Sequence, residues 1–171
     1  MIIGLGHQKG VGKSTVARIL DTKYGFQEVA FADGVKCMAL DLFPDIRALV
    51  EHLGWDEAKK VPGVRERLQA IGNSARRWID PMVWIRPVLE KVSQPGDWVI
   101  PDVRFRNEAD MIRVVGGYIV KVERGEPNDD PDPSEQDLAD WTGWDYVFDN
   151  NGSLGDLGRG IADMLDALNR T

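Results

Sequence analysis

The residues that point most clearly to chemistry lie in a glycine-rich segment near the start of the chain. Residues 10–15 read GVGKST; they follow the short apolar run at residues 2–5 and precede apolar residues at helical spacing. Glycines let backbone N–H groups converge on phosphate oxygens, and the start of a helix adds a partial positive charge. Lys13 would neutralise the terminal phosphates of ATP, and Ser14 would place its hydroxyl on Mg²⁺. The predicted ATP site comprises Lys9, Gly10, Val11, Gly12, Lys13, Ser14 and Thr15.

This segment departs from the complete phosphate-loop (P-loop) pattern at one position. The pattern G-x-x-x-x-G-K-[ST] requires a glycine five residues before Gly12, where this chain has His7. Gly6 lies one residue too early. A chance glycine turn before a helix is the alternative, but strand, GKS sequence and helix occur in the order that a P-loop requires. We expect His7 to be a loop residue that tolerates the turn.

Charged side chains follow the strand predicted at residues 98–100. Asp102 and Arg104 come just after this strand, and open α/β sheets bind ligands at the carboxyl ends of their strands. Asp102 would orient Mg²⁺ through water or hold a substrate, and Arg104 would grip a phosphate or stabilise the transferring group. A surface Asp–Arg pair is the alternative interpretation. The position at the strand end favours a catalytic role for both residues.

The rest of the sequence predicts the elements that must hold these residues. Short apolar runs predict strands at residues 2–5, 29–31, 98–100, 118–122 and 146–148. Strands that alternate with helices predict an α/β fold, in which a five-stranded, mostly parallel sheet has helices on both faces. A helical stretch is inserted between the second and third strands, and we interpret it as the one candidate subdomain.

Polar and proline residues predict where helices begin. The expected caps are Asp33 and two capping boxes, Ser134 with Asp137 and Ser153 with Asp156. Asp80-Pro81 predicts a helix that begins at Pro81 and ends near Val92. Trp78 fits the apolar face of the helix predicted at residues 65–78, so we expect it in the core.

Composition excludes several classes of protein. The chain has 171 residues, with 21 Lys and Arg against 28 Asp and Glu, so its net charge is −7. An acidic chain is a poor candidate for coating DNA or RNA, because phosphate neutralisation needs a basic face. Cys37 is the single cysteine, which rules out an internal disulfide. No apolar run reaches the length of a membrane span, and no signal peptide is evident, so we expect a cytoplasmic protein without membrane partners.

The motifs together resemble the phage-type deoxynucleoside monophosphate kinases, which are relatives of the adenylate-kinase-like P-loop kinases. The resemblance spans most of the chain and rests on GHQKGVGKST at 6–15, FAD at 31–33, RLQAIGN at 67–73, DPMVW at 80–84, DVRFRNE at 102–108 and DNNG at 149–152. The D-V-R-F-x-N-E element is the most specific of these segments.

The resemblance implies a P-loop kinase fold over residues 1–171, with a helical insertion at about 34–95 that binds the monophosphate and a lid-like segment at about 104–135. Arg124 would close over the triphosphate as a lid arginine, and Asn150 would offer backbone groups to adenine. Trp84 would stack on the base of the acceptor. The predicted acceptor site comprises Asp33, Lys36, Arg67, Gly72, Asn73, Arg76, Trp84, Asp102, Arg104 and Glu108.

The resulting hypothesis is a (deoxy)nucleoside monophosphate kinase. It would transfer the γ-phosphate of ATP, with Mg²⁺, to a dNMP and release dNDP and ADP. Its partners would be these nucleotides and neither DNA nor RNA, in the host-cell cytoplasm if the protein is phage-encoded. The alternatives are a small P-loop kinase that acts on a coenzyme precursor and a regulatory P-loop NTPase that is not a kinase. The sequence leaves open the base preference and whether the protein is a homodimer.

Overall fold

The computed structural model describes residues 1–125 and 132–170, which fold into alternating strands and helices. The strands are β1 (Ile2–Gly6), β2 (Gln27–Glu28), β3 (Trp98–Val103), β4 (Tyr118–Glu123) and β5 (Tyr146–Asp149). The helices are α1 (Lys13–Tyr24), α2 (Ala32–Leu42), α3 (Pro44–Ala58), α4 (Val64–Trp78), α5 (Ile85–Val92), α6 (Arg106–Val114), α7 (Pro133–Gln136) and α8 (Leu154–Leu168). All neighbouring strands pair in parallel, in the order β2-β3-β1-β4-β5. The predicted α/β fold with a five-stranded parallel sheet is confirmed.

Strand β1 lies at the centre of the sheet and brings the loop after it next to two other strand ends. Its last residue, Gly6, is in register with Val103 at the end of β3 and with Lys121 in β4. Ile3 and Leu5 are completely buried, which fits a strand with helices on both faces. The carboxyl ends of β1, β3 and β4 therefore share one edge of the sheet, and this is the edge at which the sequence predicts the site.

The chain forms two compact units. One consists of residues 1–30 together with the chain from residue 89 onward, and it contains the whole sheet. Its core includes Val16, Leu20, Val120 and Ile161, all of them completely buried. The other unit, Phe31–Val88, is helical and includes α2, α3 and α4. No helix in either described range is long and apolar enough to cross a membrane.

The second strand lies earlier in the chain than predicted. It covers two exposed polar residues, Gln27 and Glu28, at the edge of the sheet. Of the predicted residues 29–31, Val29 lies beside the sheet and donates its N–H to the carbonyl of Val99 at 3.1 Å. Phe31 already has helical φ and ψ angles of −60° and −32°. The apolar run is buried where the chain leads into a helix. A short apolar run does not by itself distinguish a buried strand from the start of a buried helix.

Two predicted helix caps are wrong and one is confirmed. Helix α2 begins at Ala32, so Asp33 lies inside its first turn instead of capping it. At α7 the cap is Asp132, whose carboxylate accepts from the Ser134 amide at 2.9 Å. The capping box of Ser153 and Asp156 at α8 is present with both of its hydrogen bonds.

Two other helical expectations fail near the end of the helical unit. Asp80 does not begin a helix at Pro81; its carboxylate accepts from the Met82 amide at 2.9 Å and closes a turn ahead of α5. Trp78 is the last residue of α4 and is 74% exposed, so the expectation that it lies in the core is wrong. The guanidinium of Arg77 lies 4.7 Å from its ring centroid, a cation–π contact that partly covers the indole.

Candidate active site

The loop between β1 and α1 has the backbone conformation that convergent amides require. Gly10 and Gly12 have φ angles of 81° and 98°, in the region that favours glycine. Gly12 precedes the first residue of α1, and its carbonyl accepts from the amides of Thr15 and Val16 at 3.0 and 3.1 Å. The positive end of the α1 dipole is therefore directed at the loop, where an anion is stabilised.

His7 occupies the position of the missing first glycine and adopts a glycine-like conformation. Its φ is 89°, and it is the only non-glycine residue with positive φ within residues 1–125 and 132–170. An L-residue pays roughly 1–2 kcal/mol for this conformation. The imidazole packs edge-on against Trp144, with ring centroids 6.4 Å apart. The loop thus has three residues with positive φ, His7, Gly10 and Gly12, although the pattern lacks one glycine.

Lys13 is buried at the start of α1, with only 7% of its surface exposed. Its ammonium donates to the carbonyls of His7 and Gln8 at 2.6 and 2.5 Å. Burial, and then the positive charge of Arg104, lowers the pKa of Lys13 to about 8. An ammonium whose hydrogen bonds go to neutral carbonyls can exchange them for phosphate oxygens, which carry full negative charge.

A buried glutamate connects the loop to the end of β3. One oxygen of Glu135 accepts from the Lys9 amide at 2.7 Å, and the other pairs with Arg104. Arg104 Nη1 also lies 3.4 Å from the Ser134 hydroxyl. Asp102 is close enough to oppose the lowering of the Lys13 pKa. The structure therefore groups Lys9, Lys13, Asp102 and Arg104, four residues that the sequence predicted for one site.

Comparison with known proteins gives one informative sequence relative. Over 189 aligned residues the chain is 32% identical to the "Putative deoxynucleotide monophosphate kinase" of Acanthamoeba polyphaga mimivirus, and the match covers 97% of this chain and 96% of the relative. This chain belongs to the deoxynucleotide monophosphate kinase family. No family model matches the chain. Membership confirms the prediction of a phosphotransferase, whereas a phage origin is not shown.

Solved structures support the fold of this family member. Shikimate kinase from Bacteroides thetaiotaomicron matches with a TM-score of 0.52 and 13% identity, over 99% of this chain and 98% of that one. The gluconokinase from Sinorhizobium meliloti matches with a TM-score of 0.50 and 17% identity, over 98% and 91% of the two chains. At such low identity the likeness concerns the fold alone, and it confirms the P-loop kinase fold.

Asn150, predicted to offer backbone groups to adenine, contacts both β4 and the P-loop of the kinase. Its backbone N–H donates to the Glu123 carbonyl at 2.8 Å, and a contact with adenine stays a prediction. The side chain is buried and donates to the carbonyl of Val11 at 2.8 Å. A Cβ at Gly12 would collide with the Asn150 amide nitrogen. Asn150 therefore braces the P-loop from the end of β5 and restricts Gly12 to glycine.

Glu108, predicted for the acceptor site, is a buried carboxylate in the first turn of α6. It is 1% exposed. Its Oε2 accepts from the amides of Arg104 and Phe105 at 2.8 and 3.1 Å. This arrangement satisfies the two amides just before α6 and fixes the turn that carries Arg104. A contact between Glu108 and the acceptor stays a prediction.

Trp84 is a core residue of the helical unit and not an open stacking surface. It is 5% exposed, and its indole N–H donates to the carbonyl of Gly72 at 3.1 Å. A Cβ at Gly34 would lie only 2.8 Å from the Trp84 ring, so position 34 has no room for a larger side chain. Stacking of the acceptor base on Trp84 stays a prediction, and the carbonyl of Gly72 holds the indole within the core of this unit.

The basic residues of the helical unit are held by local partners. Lys36 donates to Asp33 at 2.8 Å within the first turn of α2. Arg67 donates to Asp45 at 2.7 Å and to the Gly63 carbonyl at 3.2 Å, and its guanidinium lies 5.1 Å from the Phe43 ring centroid. The hydrogen bond from Arg67 holds the pKa of Asp45 below its usual range. On α4, Asn73 is exposed and Arg76 is half-buried.

The predicted lid is only partly within the described residues. Residues 126–131 of the segment 104–135 lie outside them, and Arg124 is exposed just after the end of β4. Among described residues, the charged neighbours that act on Lys13 are Arg104, Glu135 and Asp102, and Arg124 is not one of them. A lid role for Arg124 stays a prediction.

Two residues that shape this site are absent from the predicted site. Glu135 was not among the predicted site residues, although it lies in a short PSE segment after the acidic loop. Trp144 packs directly against the end of β1, where a Cβ at Gly6 would lie 2.8 Å from its ring. It also meets Trp141 edge-on at 4.8 Å between ring centroids. No spacing rule connects these residues to the loop at 7–13.

Proposed function

We propose that this chain transfers the γ-phosphate of ATP to a deoxynucleoside monophosphate and yields dNDP and ADP. The observation that carries the proposal is the buried ammonium of Lys13 in a P-loop, beside the guanidinium of Arg104. Phosphoryl transfer requires positioned cations rather than covalent chemistry. The mimivirus relative, whose name specifies a deoxynucleotide monophosphate kinase, supports the acceptor class.

Different groups at the P-loop would contact different phosphates of ATP. The amides at 10–15 and the α1 dipole would hold the β-phosphate. Lys13 would move from the carbonyls of His7 and Gln8 to the β- and γ-phosphates, and Arg104 would stabilise the charge on the transferring group. The surrounding burial strengthens these interactions, since they act in a region of low dielectric constant.

The donor groups near the loop fit Mg²⁺. Ser14 is exposed in the first turn of α1, and Asp102 is half-buried near the end of β3. A hydroxyl and a carboxylate are the hard oxygen ligands that Mg²⁺ prefers, directly or through water. When bound, the metal would neutralise charge on the β- and γ-phosphate oxygens.

We assign the phosphate of the acceptor to basic side chains of the helical unit, with Arg67 as the principal candidate and Lys36 and Arg76 as further ones. Asp33 and Asn73 remain predicted contacts for the acceptor. Arg67 is half-buried and bound to one exposed carboxylate, Asp45. A phosphate carries more charge than Asp45 and accepts a bidentate pair, so it would compete for the guanidinium.

Replacing Arg67 with alanine tests this assignment. We expect dNMP affinity to fall by roughly 10- to 100-fold, the equivalent of about 1.5–3 kcal/mol for a charge-assisted hydrogen bond, while ADP affinity stays within about twofold. Calorimetric titration of each nucleotide separately measures both. Arg65→Ala is the matched control, since Arg65 is an exposed arginine on the same helix.

Arg67 also has a structural alternative, because it contacts Asp45 and Phe43. If it served only the fold, Arg67→Ala would lower the melting temperature and leave dNMP affinity unchanged. A loss of ADP affinity with normal dNMP affinity would mean that the two nucleotide sites are assigned the wrong way round. Cytoplasmic location, phage origin and homodimer formation stay predictions.

A further inference from the structure

We propose that Asn150 is a positioning residue for the P-loop: its side chain orients the peptide between Val11 and Gly12 so that the Gly12 N–H faces the β-phosphate of ATP. The role rests on the proposed ATP site and does not depend on which acceptor the kinase uses. It differs from the predicted contact between Asn150 and adenine, because it acts through the loop and on the phosphates.

Asn150 is itself anchored at the end of β5. Only 7% of its surface is exposed. Its backbone N–H donates to the Glu123 carbonyl at 2.8 Å, which ties it to the end of β4. The side chain then reaches a part of the sequence 139 residues away, where Nδ2 donates to the Val11 carbonyl at 2.8 Å. A buried amide that is hydrogen-bonded through both its backbone and its side chain is a rigid support for a loop.

The hydrogen bond to Val11 determines where the next amide points. A trans peptide is planar, and its C=O and N–H point in opposite directions. The peptide between Val11 and Gly12 is trans, since no cis bond occurs within residues 1–125 and 132–170. With the Val11 carbonyl directed at Asn150, the Gly12 N–H points away from Asn150. Gly12 is the N-cap of α1, and phosphate oxygens are ligands that the first amides of a helix bind well.

Gly12 is also in direct contact with the side chain that orients it. Its φ of 98° favours glycine. A Cβ at Gly12 would collide with Nδ2 of Asn150, so the contact excludes a side chain independently of the backbone conformation. Asn150 therefore supplies both a donor for one side of the peptide and a surface against which Gly12 packs. A variant without the donor keeps the contact and loses the orientation.

Replacing Asn150 with leucine tests the role, because leucine has a similar shape but no donor. We expect the affinities for ADP and for inorganic tripolyphosphate, which has no base, to fall by the same factor of about tenfold or more, the scale of one hydrogen bond to a charged group. Calorimetric titration without added metal measures both dissociation constants. Asn151→Leu is the matched control: Asn151 is exposed in the same turn and accepts from the Gly125 amide at 2.7 Å, so it should leave both affinities unchanged.

The amide resonance of Gly12 provides a second measurement, which a general effect on folding would not imitate. In the wild type, ADP should move the amide proton of Gly12 downfield, as expected for a charge-assisted hydrogen bond to a phosphate oxygen. In Asn150→Leu saturated with ADP, this shift should be lost. A Gly12 amide that does not move when the wild type binds ADP would overturn the proposal, even if the leucine variant does not fold.

Three other outcomes are decisive. Lower affinity for ADP in Asn150→Leu, with unchanged affinity for tripolyphosphate, would overturn the proposal and favour the predicted contact with adenine. A lower melting temperature with both affinities unchanged would also overturn it and make Asn150 a purely structural residue. Both results leave the proposed function intact. Wild type that binds neither ligand would contradict the ATP site itself, and with it the proposed function.

Discussion

Replacing Lys13 with methionine is expected to lower kcat by about 10²-fold or more, a loss of at least roughly 2.7 kcal/mol of transition-state stabilisation. Methionine fills a similar volume but supplies no charge where the transferring phosphate would lie. Steady-state kinetics in a coupled ADP-release assay measures the effect. A variant with near-normal kcat would remove the P-loop chemistry from the proposed mechanism.

Stability should change little in the Lys13→Met variant. The two hydrogen bonds to the His7 and Gln8 carbonyls are lost, but so is the cost of burying a charge whose pKa is lowered by that burial. Thermal melting checks this point. Lys23→Met is the matched control, since Lys23 lies exposed in the last turn of the same helix, α1, and should leave the kinetics unchanged.

Arg104→Ala should separate chemistry from ATP binding. We expect acceptor-dependent turnover to fall by about 10²- to 10³-fold, the usual loss when one transition-state donor is removed. ADP affinity at pH 7 should change by less than about tenfold, because the loop amides and Lys13 remain. Turnover and calorimetric ADP binding, measured on the same preparation, decide between the two effects.

The control for this variant is Arg106→Ala. Arg106 lies two residues further on, is exposed, and is bound to the Asp137 carbonyl at 2.8 Å and to the carboxylate of Asp140. It should therefore affect turnover only slightly. Equal losses in both variants would indicate that the segment after β3 matters for folding and that the Arg104 side chain has no special role.

Local sequence signals predicted the parts of the structure that depend on neighbouring residues. The strand, glycine loop and helix at residues 2–24 follow from apolar spacing and from the conformational freedom of Gly10 and Gly12. The capping box of Ser153 and Asp156 spans three residues and is present as expected. Even His7, a mismatch to the pattern, has a positive φ of 89°, in the region that favours glycine.

The contacts that complete the site could not be predicted because they join distant parts of the chain. Asn150 and Val11 are 139 residues apart, and Glu135 and Lys9 are 126 apart. No periodicity reports such pairs. Burial is also a property of the whole fold, which explains why Trp78, expected in the core, is exposed at a helix end, whereas Trp84 is buried against Gly34.

The most direct test of the proposed function is ADP release from ATP–Mg²⁺ with and without each common NMP and dNMP, with products separated by chromatography. We predict little ADP from ATP alone and at least about a 10²-fold increase with a deoxynucleoside monophosphate, the scale expected when a bound acceptor is positioned for attack, together with the matching diphosphate. Stimulation by a coenzyme precursor alone would indicate another small P-loop kinase. ADP release that is indifferent to every monophosphate, with no diphosphate product, would contradict the nucleotide kinase and favour a slow regulatory NTPase.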